Sequence, residues 1–452
     1  MKLDQNYHFN FKEVLLHVIP SKGQVRPLGH RGQHGLQYCP VRQKPSKGFY
    51  PWPQAWVCTA HPFLPLHGGG CINHELLKYF YFLPEDVPSA SAFIQQRAKL
   101  LPETFRHILT QFNLRFPPGR LWGKYSLIAA DGCEFNIARN PHDPSTFHPA
   151  SGRSKKGFNS LHTVSLYDLL SKRYLDAVIQ PGRLKNEFAA LCQLIDRYLY
   201  GGFPIFVADR GFASWNVFAH ALEKGCFFAI RAKDINISRL LATDSLPERM
   251  DRWVDVILTR SNAKSKRLHP ELGHLYRYIC KAVPFDFITQ GRPEYRMRLR
   301  IVRFQIAEGV YENIITNLPS DEFSLEQIKH IYHLRWGQET SFRDLKHTIG
   351  TANFHSKSPQ YIEFEILCRM TLYNFCTIIT IEVPIEKKTE KWEYQVNLSM
   401  AIKICFAFLS DHMGGGNVND LISRYILPIR PERTYARQLR FQSPASFAYR
   451  FV

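Results

Sequence analysis

The run at 204–208 reads P-I-F-V-A, with no charged or hydrogen-bonding side chain, and Asp209-Arg210-Gly211 follows at once. A strand that is apolar at every position, not only at alternate ones, needs cover on both of its faces. Such a strand belongs inside a sheet that helices sandwich. The neighbouring sequence supplies the partners. A second short apolar run at 127–130 ends at Asp131-Gly132. Strand patterns at 161–166 and 174–179 flank the turn-like D-L-L-S-K-R. Helical patterns at 186–200 and 215–224 and a strand pattern at 226–231 complete the alternation. Strands alternating with helices predict an α/β fold, a mixed sheet covered by helices.

The rhythm changes between 235 and 320. Strand patterns at 254–259, 275–283, 295–306 and 313–317 predict a β-rich insertion within the α/β unit. In Tyr295-Arg296-Met297-Arg298-Leu299-Arg300-Ile301 the arginines alternate with other residues, so Arg296, Arg298 and Arg300 share one face. A solvated outer face and a phosphate-binding face both fit that pattern. Helical patterns return after Ser324, with apolar helices at 362–379 and 398–409 and a G-G-G loop at 414–416. Upstream, 72–116 reads as helical. The stretch 91–112 places apolar residues at three- and four-residue steps, with Arg97, Lys99 and Arg106 as a basic side. Residues 20–71 are rich in Pro, Gly and His and lack periodicity. Disorder and a reading-frame slip in the gene both account for such a stretch.

Charge narrows the partners. Lys and Arg total 58 against 39 Asp and Glu in 452 residues, a net charge of +19. That excess suits a polyanion such as nucleic acid. No apolar run reads as long enough to cross a bilayer, and M-K-L-D-Q-N-Y-H-F-N lacks the apolar stretch of a signal peptide, so a cytosolic protein with no membrane partner is expected. The tail from Arg424 carries Arg430, Arg433, Arg437, Arg440 and Arg450 against Glu432, with aromatic residues interleaved. The ten cysteines form no C-x-x-C pair, and several, such as Cys226 and Cys376, lie in apolar runs that predict buried, reduced thiols. Cys39, Cys58 and Cys71 match no standard zinc spacing.

The chemistry concentrates around one helix. Ser324 and Gln327 form a capping-box signature. From there, at about 100° per residue, Tyr332, Arg335, Glu339 and Lys346 fall within about a 60° arc, a stripe about 21 Å long. Ile328, Ile331, Phe342 and Ile349 flank it and would anchor the helix. Two readings stay open for the stripe alone: a solvated face with pairs such as Arg335–Glu339 and Glu339–Arg343, or a surface for a metal ion flanked by phosphates. In the second, Arg335 grips a phosphate with two nitrogens, Lys346 adds a point charge and Tyr332 one hydrogen bond. Asp131 and Asp209 favour the second. Each follows a buried strand, where α/β sheets place ligands, and a glycine follows closely. Three carboxylates brought together repel and need cations, and Mg²⁺ prefers such oxygens. Two such ions cut phosphodiester bonds. Glu134 reads as a structural carboxylate.

The pattern Y-x2-R-x3-E-x6-K, the D-G after the first strand and the D-R-G-F after the later one occur in order. With them the chain, over about 72–452, resembles the DDE transposases of the bacterial insertion-sequence-four family. The resemblance implies a ribonuclease-H-like core at 121–234 and 321–380, interrupted by the β-rich insertion at 235–320. It implies helical flanking regions at 1–120 and 381–452 that help bind DNA ends. It implies a triad of Asp131, Asp209 and Glu339 that holds two Mg²⁺ ions, with Mn²⁺ as a substitute. Tyr332, Arg335 and Lys346 would hold the DNA backbone. Trp253 and Trp336 are candidates to contact a flipped base or distorted end, and Arg296, Arg298 and Arg300 to contact DNA. The implied reaction is cut-and-paste transposition: cleavage at inverted repeats, then strand transfer into target DNA, by a homodimer on double-stranded DNA in a bacterial cytoplasm, at the nucleoid. A nuclease that cuts without joining and a DNA-binding derivative without catalysis are the alternatives. Residues 20–71 depart from the family pattern, which has a basic helical segment there.

Overall fold

The computed structural model describes residues 71–79, 87–101, 103–151, 154–350, 354–386, 392–409 and 417–429. The expectations for 20–70, for Cys39 and Cys58, and for the basic tail from Arg430 onward lie outside the described residues. Three helices come first, α1 (Ile72–Tyr79), α2 (Ala90–Arg97) and α3 (Thr104–Arg115). The single helix expected over 91–112 is two, with Pro102 between them in the sequence; proline has no N–H for a helical bond.

Next come β1 (Tyr125–Ile137), β2 (Phe147–His148), β3 (Phe158–Asp168), β4 (Arg173–Pro181), α4 (Glu187–Arg197), β5 (Phe203–Ala208), α5 (Trp215–Glu223) and β6 (Phe227–Ala232). In the sheet β4 lies outside β3, then come β1, β5 and β6. The pairs β4–β3 and β3–β1 are antiparallel, while β1, β5 and β6 run parallel. This order and sense are those of a ribonuclease-H-like sheet. After α6 (Asp234–Leu241), the segment 235–320 contributes β7 (Met250–Thr259), α7 (Asn262–Leu268), β8 (Tyr276–Tyr278), β9 (Glu294–Ala307) and β10 (Val310–Thr316). These strands extend the same sheet in the order β6-β10-β9-β7-β8, ten strands in all. The strand expected over 275–283 shrinks to three residues, an edge strand paired only to β7.

Both faces are covered, as the apolar run at 204–208 requires. Ile205 and Val207 belong to one core, with α3 and the helices that follow β10: α8 (Leu325–Leu334), α9 (Trp336–Arg343) and α10 (Pro359–Glu382). Phe206 and Ala208 belong to the other, with α4, α5 and α6. After α10 the chain adds β11 (Glu393–Val396), α11 (Leu398–Leu409), α12 (Val418–Ser423) and β12 (Ile426–Ile429), with β11 and β12 paired. By length and composition α10 is apolar enough to cross a membrane, contrary to the expectation that no run reaches that length. Its most apolar stretch has mean hydropathy 1.3, and 78% of that stretch is buried in the fold. A helix apolar all round is what a core position demands. Asn374 ties it in place: its amide donates to the Tyr174 carbonyl (2.7 Å) and to Asn113 Oδ1 (3.1 Å), and its oxygen accepts from Tyr174 N (2.8 Å). Cys226 and Cys376 are free and buried, as their apolar surroundings predict.

The arginine stripe needs one correction. On β9, Arg296 and Arg298 are exposed, but Arg300 is 1% exposed. Its Nε and Nη2 donate to the Asp251 carboxylate (2.7 and 2.6 Å), and Nη1 donates to the carbonyls of Leu318 (3.2 Å) and Phe323 (2.8 Å). The chain entering α8 closes over this end of the face, so Arg300 is structural and reaches no phosphate. Removing one partner of such a pair strands a charge. Arg300→Ala is expected to lose on the order of 3 kcal/mol in urea unfolding, whereas Arg298→Ala loses less than about 1.

Candidate active site

The pair β1–β5 stays in step until Ala130↔Ala208, so Asp131 and Asp209 come next on adjacent strands. Leu127 and Ala129 lie in the core of α8–α10, Ile128 and Ala130 in the other. By the same alternation Asp131 points toward α9. Asp131 does not end its strand, as the sequence suggested. The strand β1 continues through it, paired to β3 with Asp131 opposite Ser165. Only β5 stops, and Asp209 caps a short 3₁₀ turn at Arg210–Phe212. Each aspartate accepts from the next amide, Gly132 N at 2.8 Å and Arg210 N at 2.6 Å.

The third carboxylate arrives on α9. The capping box opens α8: Ser324 Oγ accepts from Gln327 N (3.3 Å) and Gln327 Oε1 from Ser324 N (2.8 Å). Ile328, Ile331, Phe342 and Ile349 are buried, as an anchoring role requires. The helix is not uniform. It tightens at Arg335, whose N donates to Tyr332 O (3.2 Å) and whose carbonyl accepts from Gln338 N (3.0 Å), then widens to a π turn at Asp344–Thr348. Two anchors went unread in the sequence. Gln338, fully buried, donates to the carbonyl (2.9 Å) and hydroxyl (3.1 Å) of Ser165. The Ser341 hydroxyl is 2.8 Å from the Tyr174 hydroxyl. Their three- and seven-residue offsets from Arg335 and Leu334 were the available signal, but polar side chains at helical spacing also describe a solvated face.

Arg335 joins the acids. It is 5% exposed, with Nη1 3.4 Å from Asp131 Oδ2 and Nη2 3.1 Å from Glu339 Oε1. Burial pushes the Asp131 pKa up to about 6; the Gly132 amide and Arg335 oppose the shift, and Glu339 and Asp209 add to it. Burial works against the Arg335 charge too, yet Tyr332 and the three carboxylates raise its pKa above the ordinary value. Tyr332 is buried, its pKa is pushed up to about 12 chiefly by burial, and its hydroxyl has no hydrogen-bond partner. Trp336 is 51% exposed, 5.3 Å from the Arg335 guanidinium. A groove of about 450 Å³ runs past Tyr332, His333 and Trp336 toward Phe304 and Ile306.

The other candidates have partners of their own. Lys346 sits 5.3 Å over the Phe135 ring and beside the buried Cys133 thiol, two residues along β1 from Asp131. Trp253, half-buried on β7, lies under Arg298 at 5.3 Å, and Arg298 is 3.9 Å from Asp255. Glu134 pairs with Lys185 at 3.1 Å. Among the described residues no three His, Cys, Asp or Glu side chains form a ready cage for a metal ion. The donors fit a hard divalent cation nonetheless. All are carboxylates, Asp131 is raised toward protonation chiefly by burial and to a lesser degree by Glu339 and Asp209, and Mg²⁺ is commonly held by one or two carboxylates plus phosphate oxygens.

The family described as the transposase DDE domain matches residues 122–375, which contain all three acids and Arg335. The chain belongs to the DDE transposases. Members of this family generally use divalent metal ions. This DDE transposase is 33% identical over 73 residues to the putative transposase InsL for insertion sequence element IS186A of Escherichia coli K12, covering 16% of this chain and 20% of that one. The transposase for insertion sequence element IS421 of Escherichia coli gives the same identity and coverage. The chain thus matches about a fifth of the length of these relatives. The piggyBac transposase synaptic complex with hairpin DNA aligns over 84% of this chain and 78% of that one, at 10% identity and a TM-score of 0.43.

A carboxyl whose folded pKa is raised opposes folding when ionised. The penalty is absent below its unfolded pKa, near 4, grows as pH rises to about 6 and is complete above. Asp131→Asn is therefore expected to stabilise the metal-free protein by up to about 3 kcal/mol at pH 7.5 and to give no gain near pH 3.5, compared by urea unfolding at the two pH values.

Proposed function

We propose that this chain carries out cut-and-paste DNA transposition: metal-dependent cleavage at the inverted repeats of a transposon end, then strand transfer into target DNA. The observation that carries the reading is the convergence of Asp131 and Asp209, at the end of the β1–β5 pair, with Glu339 and a shared Arg335. Asp131, Asp209 and Glu339 are the catalytic residues and would hold two Mg²⁺ ions, for which Mn²⁺ can substitute. Ions bound there supply the positive charge that activates an attacking oxygen and stabilises a leaving one in phosphodiester chemistry. Arg335, freed from the carboxylates, can grip a phosphate with two nitrogens. Tyr332 has an unsatisfied hydroxyl for the same backbone, and Lys346 extends the positive track along β1.

The order of motifs supports membership of the insertion-sequence-four group, through Tyr332, Arg335, Glu339 and Lys346. Trp336 and the groove beside it offer an aromatic surface to a distorted end, and Trp253 with Arg296 and Arg298 offers a second on the extended sheet. Regions 1–120 and 381–452 are assigned to end recognition, with a homodimer synapsing two ends in the bacterial cytoplasm. The net charge of +19 suits such a partner and makes binding strongly salt-dependent.

The test is cleavage of a labelled duplex carrying the gene's own flanking repeat, in Mg²⁺, by wild type and Glu339→Ala. The expected result is a cleavage rate at least about 10³-fold lower in the variant with DNA binding retained, and joined product on a target plasmid for wild type alone. Cleavage without joining makes the protein a nuclease. Binding without cleavage by wild type contradicts the reading.

A further inference from the structure

Asp131 on β1 and Asp209 at the end of β5 face α9 on one side of the sheet. On the other side both meet a single carboxylate. Glu187 opens α4, behind Asn186, which accepts from Ala189 N at 3.0 Å. A Cβ on Gly132 would stand 2.9 Å from Glu187 Oε1, and a Cβ on Gly211 would stand 3.6 Å from Glu187 Oε2. One oxygen therefore fills the space where a side chain of the residue after Asp131 would stand, and the other lies near the residue two after Asp209. A buried imidazole backs the first contact. His162, on β3, is 3% exposed, and its Nε2 is 2.9 Å from Glu187 Oε1. The same Cβ on Gly132 would stand 2.9 Å from His162 Cε1 and Nε2. The contact is close but out of line for a well-aligned ring N–H. The approach of His162 is the largest influence holding the Glu187 carboxyl below its ordinary range.

Resting on the proposed function, we infer that Glu187 is a positioning residue: backed by His162, its carboxylate sets the spacing between the β1 backbone at Asp131 and the Asp209 turn that the metal ions require. The β1–β5 register ends at Ala130↔Ala208, one residue short of both acids. Like charges at the two positions push them apart, and a metal site tolerates about 0.5 Å of misplacement. The contact behind the glycines opposes that drift. Glu187 is no catalytic residue on this account. It approaches from the face of α4, opposite Glu339, and a residue that orients ligands in this way commonly changes metal affinity about 10- to 100-fold when removed.

The experiment compares wild type, Glu187→Ala, Glu187→Asp and Glu187→Gln. It reads Mn²⁺ binding to the DNA-free protein by electron paramagnetic resonance, the half-saturating Mg²⁺ for cleavage of the end duplex, and metal-free DNA binding. Glutamine keeps the shape that touches both glycines. Aspartate keeps the charge and is too short to reach them, and it guards against a failure of the alanine variant to fold. Expected are Mn²⁺ and Mg²⁺ requirements raised at least about 10-fold by alanine and aspartate, within about 3-fold of wild type for glutamine, and unchanged DNA binding. Wild-type metal requirements in the aspartate variant overturn the inference. So does a glutamine variant as weak as alanine, which would make Glu187 a ligand by its charge. Mn²⁺ binding by a wild type that does not cleave defeats the proposed function while the Mn²⁺ comparison still judges Glu187. No Mn²⁺ binding by wild type overturns both.

Discussion

One guanidinium holds the site together. Asp131, Asp209 and Glu339 come from three elements, and Glu339 and Asp209 are near enough to Asp131 to disfavour its charge. Arg335 answers two of them directly, at 3.4 and 3.1 Å, from a position where it is almost wholly buried. A buried arginine left without a carboxylate would be costly. The Asp131 carboxyl is raised toward protonation chiefly by its own burial, with smaller contributions from Glu339 and Asp209 that Arg335 opposes. A cation bound at the carboxylates would offset that burial, and Arg335 turned to a phosphate would suit a polyanion.

The rest of the fold serves that placement. The strands β1 and β5 are covered on both faces and stay paired to Ala130↔Ala208, so Asp131 and Asp209 follow one residue on in each. The helix α9 is pinned by Gln338 on Ser165 and Ser341 on Tyr174, and Tyr174 is in turn pinned by Asn374 of α10. This chain of buried hydrogen bonds runs from the third acid to the longest helix. Buried hydrogen bonds of this kind fix geometry, although the Gln338 side-chain oxygen has no partner in it. The strands β7 to β10 lengthen the sheet without touching the acids, and they carry Arg296, Arg298 and Trp253 at a distance from the site.

Much of this was legible in the residues, for identifiable reasons. The run 204–208 announced a strand covered on both faces because period-2 alternation was absent. Asp131, Asp209 and Glu339 stood out because carboxylates beside apolar runs and on a decorated helix are hard to place otherwise. What the sequence hid were effects of distant chain segments. Arg300 alternates just as Arg296 and Arg298 do, and only the closure of Leu318 and Phe323 over it separates a structural arginine from exposed ones. The tightening at Arg335 and the π turn around Lys346 have no local signature, so the ideal-helix reading did not contain them. Neither Gln338 nor Glu187 was singled out by the sequence, because what each packs against comes from distant strands.

Iron-directed cleavage of the polypeptide tests the central claim, that the three acids form one cation site. The DNA-free protein is loaded with Fe²⁺, exposed to ascorbate and peroxide, and its fragments are mapped by mass spectrometry. The account predicts cuts clustered near 131, 209 and 339, suppressed by excess Mg²⁺ and absent in Asp209→Asn. Cuts confined to one of these segments, or scattered without Mg²⁺ protection, would contradict it.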